Sequence, residues 1–340
     1  MSKSRSLEEM DLTTVSQEHA VFHGGEDQHR LDDLDPGRHY EFDGASFQTL
    51  PDLGEEYCRF ATVNDVHFGE TVCGVIEGSD AGPVFSVGEG ETPYPEFMNA
   101  GAIAEMQSID PAAVLVKGDL TAEGTLDEYA RFLEFYGQFG EKLYHVRGNH
   151  EAYHRQDIRT EPRICVELPG VTLAMIDTVR PGSEGGTVYD EDLEWLDELA
   201  ARVDTPLLVF GHHQIWNPAT PYRSENYFGI QPDESEKFID LVARRPAIRG
   251  YFSGHTHRNR VRRFPQTKDV PWVEVACVKD FPGSWAEYRV CERGIVQVHH
   301  RISSPEALAW TEKTKAMYDG AYYEYAFGDL SDRCFVVCEY

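Results

Sequence analysis

Five short segments of the chain carry side chains that are suited to binding a metal ion. Each segment follows an apolar run, and the five are, in chain order, Asp65-x-His67, Gly118-Asp119, Gly148-Asn149-His150-Glu151, Gly211-His212 and Gly254-His255-x-His257. Carboxylate, imidazole and amide groups together suit Mn, Fe, Zn or Ni, whereas an all-oxygen set would indicate Mg or Ca. One such residue alone would more often be a surface or core residue, so the prediction of a transition-metal site depends on their joint pattern.

The spacing within these segments indicates how the ligands meet. Residues i and i+2 of a strand share a face, so Asp65 and His67 can reach one ion, and His255 and His257 can face the same cavity. The candidate ligands exceed what one ion needs, and they are Asp65, His67, Asp119, Asn149, His212, His255 and His257. Two ions about 3.5–4 Å apart, bridged by one carboxylate, would use them all and would catalyse phosphoester hydrolysis. Asp119 is the candidate bridge because it is the only candidate ligand on its strand end.

The elements that must position these residues are strands that alternate with helices. Apolar runs directly before the five segments predict strands over residues 57–63, 112–116, 142–146, 207–210 and 248–253. Helical spacing and capping residues predict helices over residues 96–108, 126–139, 190–202 and 233–244. In open α/β sheets, binding sites form at the carboxyl ends of the strands. The central segment, residues 147–151, needs a tight bend there, which Gly148 permits.

Composition and local pattern divide the chain into four predicted parts. Residues 1–19 are polar and are expected to form a flexible N-terminus. Residues 20–54 predict a small β extension, either a hairpin packed on the main domain or a piece that resembles the end of a fibronectin-like module. Residues 55–303 form the main α/β domain. The aromatic-rich tail, residues 304–340, is expected to pack on the domain or on a second subunit, and this tail or the long loop at 70–95 is expected to border the site.

The overall composition is that of a globular protein, with 340 residues, 41% of them hydrophobic and 26% charged. Acidic residues outnumber basic ones by 59 to 31, and the formal net charge of −28 disfavours a nucleic acid or an anionic membrane as partner. The seven scattered cysteines do not indicate a disulfide framework. Neither a signal peptide nor a membrane-spanning segment is predicted, and the expected location is the cytoplasm.

Present in this order, the five segments resemble the motifs of the calcineurin-like metallophosphoesterase superfamily, which read D-x-H, G-D, G-N-H-D/E, G-H and G-H-x-H. The resemblance spans residues 65–257 and is closest to the bacterial branch of cyclic-nucleotide and glycerophosphodiester phosphodiesterases. It implies an α/β fold, a four-layer α/β/β/α sandwich with mixed sheets. It also implies two divalent or trivalent transition metal ions (Mn, Fe or Zn), one held by Asp65, His67, Asp119 and His257 and the other by Asp119, Asn149, His212 and His255.

The resemblance further assigns His150, Glu151 and Asp119 as catalytic residues. His150 would protonate the leaving oxygen or stabilise charge in the transition state, and Glu151, which stands where many members have Asp, would orient His150. The implied activity is hydrolysis of a small phosphoester, preferably a phosphodiester such as a cyclic nucleotide or a glycerophosphodiester. A phosphomonoester or a nucleotide pyrophosphate is the alternative substrate. A non-catalytic scaffold and a nuclease for long nucleic acids are less favoured, and assembly with further copies of the chain stays open.

Four residues beside the motifs have roles that the sequence leaves open. Arg147 could contact phosphate or form a structural salt bridge, and His154 could line the mouth of the pocket. His213 could contact substrate, although it would alternate away from the site if the strand continues. Asn64 precedes Asp65 and is expected to form a hydrogen bond within the ligand shell.

Overall fold

The computed structural model describes residues 9–76, 78–153, 158 and 160–340. Its strands, numbered in chain order, are β1 (Asp11–Val15), β2 (Ala20–Gly24), β3 (Asp27–Leu31), β4 (His39–Phe42), β5 (Ala45–Gln48), β6 (Glu56–Val63), β7 (Val72–Cys73), β8 (Phe85–Ser86), β9 (Val114–Lys117), β10 (Leu143–Val146), β11 (Arg163–Leu168), β12 (Val171–Ile176), β13 (Leu207–Phe210), β14 (Ile248–Ser253), β15 (Arg260–Arg263), β16 (Pro271–Glu274), β17 (Ser284–Cys291), β18 (Gly294–Arg301) and β19 (Phe335–Glu339). Its α-helices are α1 (Tyr94–Ser108), α2 (Leu126–Tyr136), α3 (His150–Tyr153), α4 (Asp190–Arg202), α5 (Pro232–Arg244), α6 (Pro305–Thr314), α7 (Tyr322–Phe327) and α8 (Leu330–Arg333). None of the described helices is long and apolar enough to span a membrane.

Two six-stranded sheets contain all the strands that precede the motifs. The first sheet has the order β10-β9-β6-β17-β18-β19, and the second has the order β11-β12-β13-β14-β16-β15. In the first sheet β10, β9 and β6 are parallel, and in the second β12, β13, β14 and β16 are parallel. The remaining neighbours are antiparallel, so both sheets are mixed. Because parallel strands end at the same edge, the motif residues of each sheet are brought to one rim.

Three apolar cores separate four layers. The helices α1 and α2 cover the outer face of the first sheet, with Met98 and Phe132 in that core. Phe60 and Phe210 belong to the core between the sheets, while α4 and α5 cover the outer face of the second sheet. Strand β6 alternates between two of these cores, since Phe60 faces the other sheet and Val63 faces the helices. The predicted four-layer α/β/β/α sandwich is confirmed.

The N-terminal extension contains a three-stranded sheet, β1-β2-β3, and the hairpin β4–β5. The prediction of a flexible terminus over residues 1–19 is wrong for β1, and residues 1–8 lie outside the described part of the chain. Thr13 and Thr14 of β1 are at most 1% exposed. Their hydroxyls donate to backbone carbonyls of β2 at 3.0 Å and of β18 at 2.7 Å. These hydrogen bonds compensate for the burial of the polar side chains. A segment of polar composition therefore forms a strand here.

The C-terminal segment is part of the sandwich. Strand β19 pairs with β18 and forms an edge of the first sheet. The helices α6 and α7 contribute to the outer core, where Trp310 stacks on Tyr94 with ring centroids 4.5 Å apart. The boundary predicted between residues 303 and 304 therefore does not separate the tail from the main domain.

Candidate metal centre

The five motif segments meet at one rim of the two facing sheets. The turns after β6, β9 and β10 come from the first sheet, and those after β13 and β14 come from the second. This arrangement brings together all the predicted ligands, namely Asp65, His67, Asp119, Asn149, His212, His255 and His257. All are buried except His257, whose side chain is 23% exposed.

One group of ligands consists of Asp65, His67 and His257. A ligand atom of each lies within 4.8 Å of the others. His257 Nε2 is 3.4 Å from Asp65 Oδ1, and His67 Nε2 is 3.5 Å from Asp119 Oδ2. Asn64 donates from Nδ2 to Asp65 Oδ2 at 2.5 Å, as expected for a residue of the ligand shell.

The second group lies on the other side of Asp119. His212 Nε2 is 3.3 Å from Asp119 Oδ2 and 2.9 Å from Asn149 Oδ1, and the ring of His255 is 5.0 Å from that of His212. Backbone carbonyls fix the rings, because His212 Nδ1 donates to the last carbonyl of β9 at 2.8 Å and His255 Nε2 donates to Phe228 O at 2.9 Å. The opposite ring nitrogens are left to face the site. Asp119 Oδ2 thus lies within 3.5 Å of a histidine from each group, which is compatible with a shared ligand.

The backbone is strained at most of the ligands. Positive φ angles between 46° and 68° occur at Asp65, His67, Asp119, His255 and His257. This left-handed conformation costs a non-glycine residue roughly 1–3 kcal/mol and is characteristic of functional sites. Close packing also requires glycine at position 148, since a Cβ on Gly148 would lie 2.2 Å from Asp119 Oδ1.

The protonation states of the site are compatible with metal binding. Burial lowers the pKa of His67 well below its usual value, and neither of its ring nitrogens has a hydrogen-bond partner within the described structure. Although burial acts in the opposite direction, Asp119 raises the pKa of His212 to about 9, because the carboxylate favours the protonated ring. A metal ion would displace this proton and would provide a partner for His67. The mixed nitrogen and oxygen donors fit transition metals.

His150 is not one of the predicted ligands, but a ring nitrogen of His150 lies within 4.8 Å of ligand atoms of His67 and Asp119, and its side chain is partly exposed. Its side chain is 28% exposed, and its Nε2 is 3.9 Å from Asp119 Oδ2. Its Nδ1 donates to Ala122 O at 2.5 Å, which holds the ring with Nε2 towards the site. An imidazole held in this way can exchange a proton with a bound ligand.

Glu151 does not orient His150, contrary to the prediction. Its Oε1 accepts hydrogen bonds from Thr121 N at 2.8 Å and Thr121 Oγ1 at 2.6 Å, and its Oε2 accepts from Gly148 N at 2.7 Å. The carboxylate therefore ties the central turn to the loop after Asp119. Burial, together with the nearby charge of Asp119, raises the pKa of Glu151 to about 7. Glu151 is fully buried, so its carboxylate contacts these backbone and hydroxyl groups and not solvent.

A cavity of about 630 Å³ opens beside the ligands and His150. One wall comes from residues 70–76, and another comes from Tyr318, Tyr322 and Tyr325 of the C-terminal segment. The expectation that the long loop or the tail borders the site is thus correct for both segments.

Sequence reasoning missed Asp280 and its partners. Asp280 Oδ2 is 4.0 Å from His257 Nδ1, on the side of that ring away from Asp65. Its Oδ1 accepts hydrogen bonds from Tyr322 OH at 2.5 Å and from Cys277 Sγ at 2.9 Å. Since His257 and Tyr322 are 23 and 42 positions away from Asp280 in the sequence, no motif spacing could have identified their contacts.

The structure also determines the roles of the flanking residues. Arg147 Nε donates to Asp177 Oδ2 at 2.8 Å, which confirms the structural salt bridge. His213 is fully buried and its ring nitrogens contact Thr178 Oγ1 at 2.8 Å and Glu184 O at 3.1 Å, so it does not reach the cavity. His154 lies outside the described residues.

Comparison with known sequences agrees with this site. Residues 58–259 match the family described as calcineurin-like phosphoesterase. A probable cyclic nucleotide phosphodiesterase from Synechococcus sp. is 23% identical over 166 residues, which are 47% of this chain and 63% of that protein. The glycerophosphodiester phosphodiesterase GpdQ from Enterobacter lignolyticus is 26% identical over 183 residues, which are 49% of this chain and 64% of that protein. The chain therefore spans less than two thirds of the length of these relatives.

Solved structures share the fold at low sequence identity. A dimetal phosphatase from Danio rerio aligns with a TM-score of 0.57 and 13% identity, over 73% of this chain and 98% of that one. The purple acid phosphatase PPD1 from yellow lupin aligns with a TM-score of 0.51 and 13% identity, over 82% of this chain and 60% of that one. At this level of identity, the likeness concerns the fold alone.

Proposed function

Because the chain belongs to the calcineurin-like phosphoesterase family, we propose that it hydrolyses a small phosphoester with a dinuclear transition-metal centre. The observation that carries the proposal is the position of His150, whose imidazole faces the cavity 3.9 Å from the shared ligand Asp119. A site that only stored metal would not need an ionisable side chain directed at open space. A phosphodiester is the preferred substrate, because similar curated proteins are named as phosphodiesterases for cyclic nucleotides and glycerophosphodiesters.

The proposed division of ligands places Asp119 between the two metal ions. One ion would be held by Asp65, His67, Asp119 and His257, and the other by Asp119, Asn149, His212 and His255. When bound, the ions supply positive charge that lowers the pKa of a water molecule and neutralises phosphate oxygens. Mn, Fe and Zn are the candidates, since they accept both imidazole and carboxylate. Although burial opposes it, His212 and His150 hold the pKa of Asp119 well below its usual value, so this carboxylate is ionised at neutral pH.

His150 would deliver a proton to the leaving oxygen. Its Nδ1–H group is held by Ala122 O, so the imidazolium form carries its second proton on Nε2, towards the cavity. Transfer of that proton as the P–O bond breaks avoids the release of an alkoxide. The neutral imidazole that remains can take a proton from water before the next cycle.

Hydrolysis of bis(p-nitrophenyl) phosphate by protein loaded with Mn, Fe, Zn or Ni tests this proposal. We expect turnover together with a metal content close to two ions per chain in elemental analysis. Asp119→Asn should lose both the turnover and the bound metal. Asp177→Asn, which changes a buried carboxylate outside the ligand groups, is the matched control and should keep the metal. Failure of folded, metal-loaded protein to hydrolyse the diester with any of these ions would contradict the proposal. Faster hydrolysis of p-nitrophenyl phosphate would instead favour a phosphomonoesterase.

A further inference from the structure

The cavity beside the ligands collects exposed apolar side chains. Of the thirteen large apolar side chains that the described residues leave exposed, five line this one cavity: Val72, Val75, Ile76, Phe228 and Tyr325. Their exposed fractions run from 43% to 63%. Apolar surface gathered in one concave place marks a binding site for an apolar group, whereas scattered exposed residues need no explanation.

Two of these side chains are attached to the ligand loops. Phe228 packs against the ring of His255 with centroids 4.0 Å apart. Tyr325 donates from its hydroxyl to Thr256 O at 2.9 Å, and the guanidinium of Arg258 lies 5.1 Å from the centre of its ring. The apolar surface therefore begins at the metal ligands. It is close enough to them to contact an ester group of a phosphate that those ligands hold.

Another part of the cavity wall is aliphatic and is anchored to the domain. Strand β7, Val72–Cys73, pairs with β8, and Cys73 is buried in the outer core. This anchor leaves Val72, Val75 and Ile76 on the cavity side. The wall offers no hydrogen-bonding side chain at these three positions.

The described part of the cavity wall has no lysine or arginine without a carboxylate partner. Among its described lining residues, Lys279 is the only lysine or arginine. Lys279 Nζ lies 2.6 Å from Glu70 Oε2 and 3.7 Å from Asp280 Oδ2, so two carboxylates already neutralise it. Beyond the metal ligands, the charge of the cavity wall is therefore negative, and a second anionic group on a ligand would meet repulsion there.

We propose that the preferred substrate is a phosphodiester with a single negative charge whose non-leaving ester group is uncharged and apolar. This inference rests on the proposed function and assigns the ester group to the part of the cavity lined by Val75, Ile76, Phe228 and Tyr325. The phosphate faces the metal ligands, and the ester group removes the exposed apolar side chains from water. A substrate with a further phosphate or carboxylate would be selected against by Glu70 and Asp280.

The test compares two diesters that share one leaving group, methyl p-nitrophenyl phosphate and phenyl p-nitrophenyl phosphate. Release of p-nitrophenol from the methyl ester reports the proposed phosphodiesterase function, whereas the ratio of kcat/KM between the two esters reports the apolar subsite. We expect the metal-loaded protein to favour the phenyl ester by at least about tenfold, the discrimination typical of one buried apolar group. A ratio near one would overturn the inference while leaving the proposed function intact. Hydrolysis of neither ester would overturn both.

A double variant, Val75→Ser with Ile76→Ser, controls for the intrinsic reactivity of the two esters. It should lower the phenyl-to-methyl ratio of kcat/KM about tenfold, because the phenyl group loses its apolar contacts and the methyl group has few to lose. Val84→Ser is the matched control, because Val84 is 50% exposed in the same loop but does not line the cavity. A ratio that is unchanged in the double variant, or lowered equally in Val84→Ser, would overturn the inference.

A third ester, 4-carboxyphenyl p-nitrophenyl phosphate, tests the selection by charge. It adds one negative charge to the phenyl ester with little change in shape. We expect its kcat/KM to be about tenfold lower than that of the phenyl ester, and the difference should shrink at high salt because exposed charges are screened. Equal values for the two aryl esters would overturn the charge selection.

Discussion

A single buried carboxylate, that of Glu151, couples two of the metal-binding turns. Its hydrogen bonds end on Thr121, in the loop after Asp119, and on the backbone of Gly148. The turn that carries Asn149 therefore cannot shift without moving the loop that follows the shared ligand. Glu151 is thus required by the geometry of the site, although it does not face the cavity.

We expect Glu151→Ala to lower the free energy of unfolding by about 3 kcal/mol, because two backbone N–H groups and one hydroxyl lose their buried acceptor. Urea denaturation of metal-free protein measures this loss without interference from metal binding. Thr121→Val removes only the hydroxyl hydrogen bond and should cost about 1 kcal/mol. If Glu151→Ala were as stable as the wild type, the positioning role would be refuted.

His150→Ala and Asp119→Asn should separate proton transfer from metal binding. We expect His150→Ala to lower kcat by roughly 10²–10⁴-fold with unchanged metal content, because we assign His150 to proton transfer and not to the ligand set of either ion. Asp119→Asn should lower kcat and metal content together, since Asp119 contacts ligands of the two groups. Steady-state kinetics and elemental analysis of the same preparations distinguish these results. Equal loss of metal in the two variants would mean that His150 acts as a ligand.

Helix α7 connects the C-terminal segment to the ligand loop after β14. Tyr322 OH donates to Asp280, and Tyr325 OH donates to Thr256 O, between the two histidines of that loop. These contacts come from outside residues 58–259, the part of the chain that matches the family. A helix beyond that core thus holds the loop from behind, where hydrogen bonds orient a ligand and adjust its affinity for metal.

Asp280→Asn and Tyr322→Phe are expected to weaken metal binding by about 10–100-fold, because the support of His257 is lost. Competition with a chelator measures the affinity, and circular dichroism verifies that the fold is retained. Tyr318→Phe removes a hydroxyl from the same wall of the cavity and is the matched control. If Asp280→Asn bound metal as tightly as the wild type, the 4.0 Å approach to His257 would have no orienting role.

Across the whole molecule, the features that depend on neighbouring residues could be predicted from the sequence, whereas those that depend on distant contacts could not. Asp65 and His257 directly follow strand-forming runs, so the rules for α/β sheets were sufficient to bring them to one rim. The hydrogen bonds of Glu151 to Thr121 and of Tyr322 to Asp280 join residues 30 and 42 positions apart, which no periodicity reports. Strand β1 was not predicted for a related reason. Its buried threonine hydroxyls form hydrogen bonds with carbonyl groups of other strands, which the local sequence does not indicate.

Two histidines outside the site, the buried His23 and the partly buried His145, make the stability of the fold depend on pH. Burial lowers the pKa of His145 to about 4, and burial together with Arg301 lowers that of His23 to about 3. In the unfolded chain a histidine has a pKa of about 6.5. For His145, the unfolded chain therefore binds more protons than the folded one between about pH 4 and pH 6.5, and stability rises with pH in that window.

Acidification from about pH 7 to about pH 5 should consequently lower the free energy of unfolding, with about 2 kcal/mol of the loss due to His145. His145→Gln keeps a polar partner for Tyr129 OH, which contacts His145 Nε2 at 2.9 Å, but removes the titrating group. We expect this variant to lose about 2 kcal/mol less than the wild type over the same interval, as measured by urea unfolding at both pH values. His39→Gln, on exposed strand β4, is the control for removal of a histidine. Identical pH dependence of His145→Gln and the wild type would mean that His145 is not neutral in the folded protein.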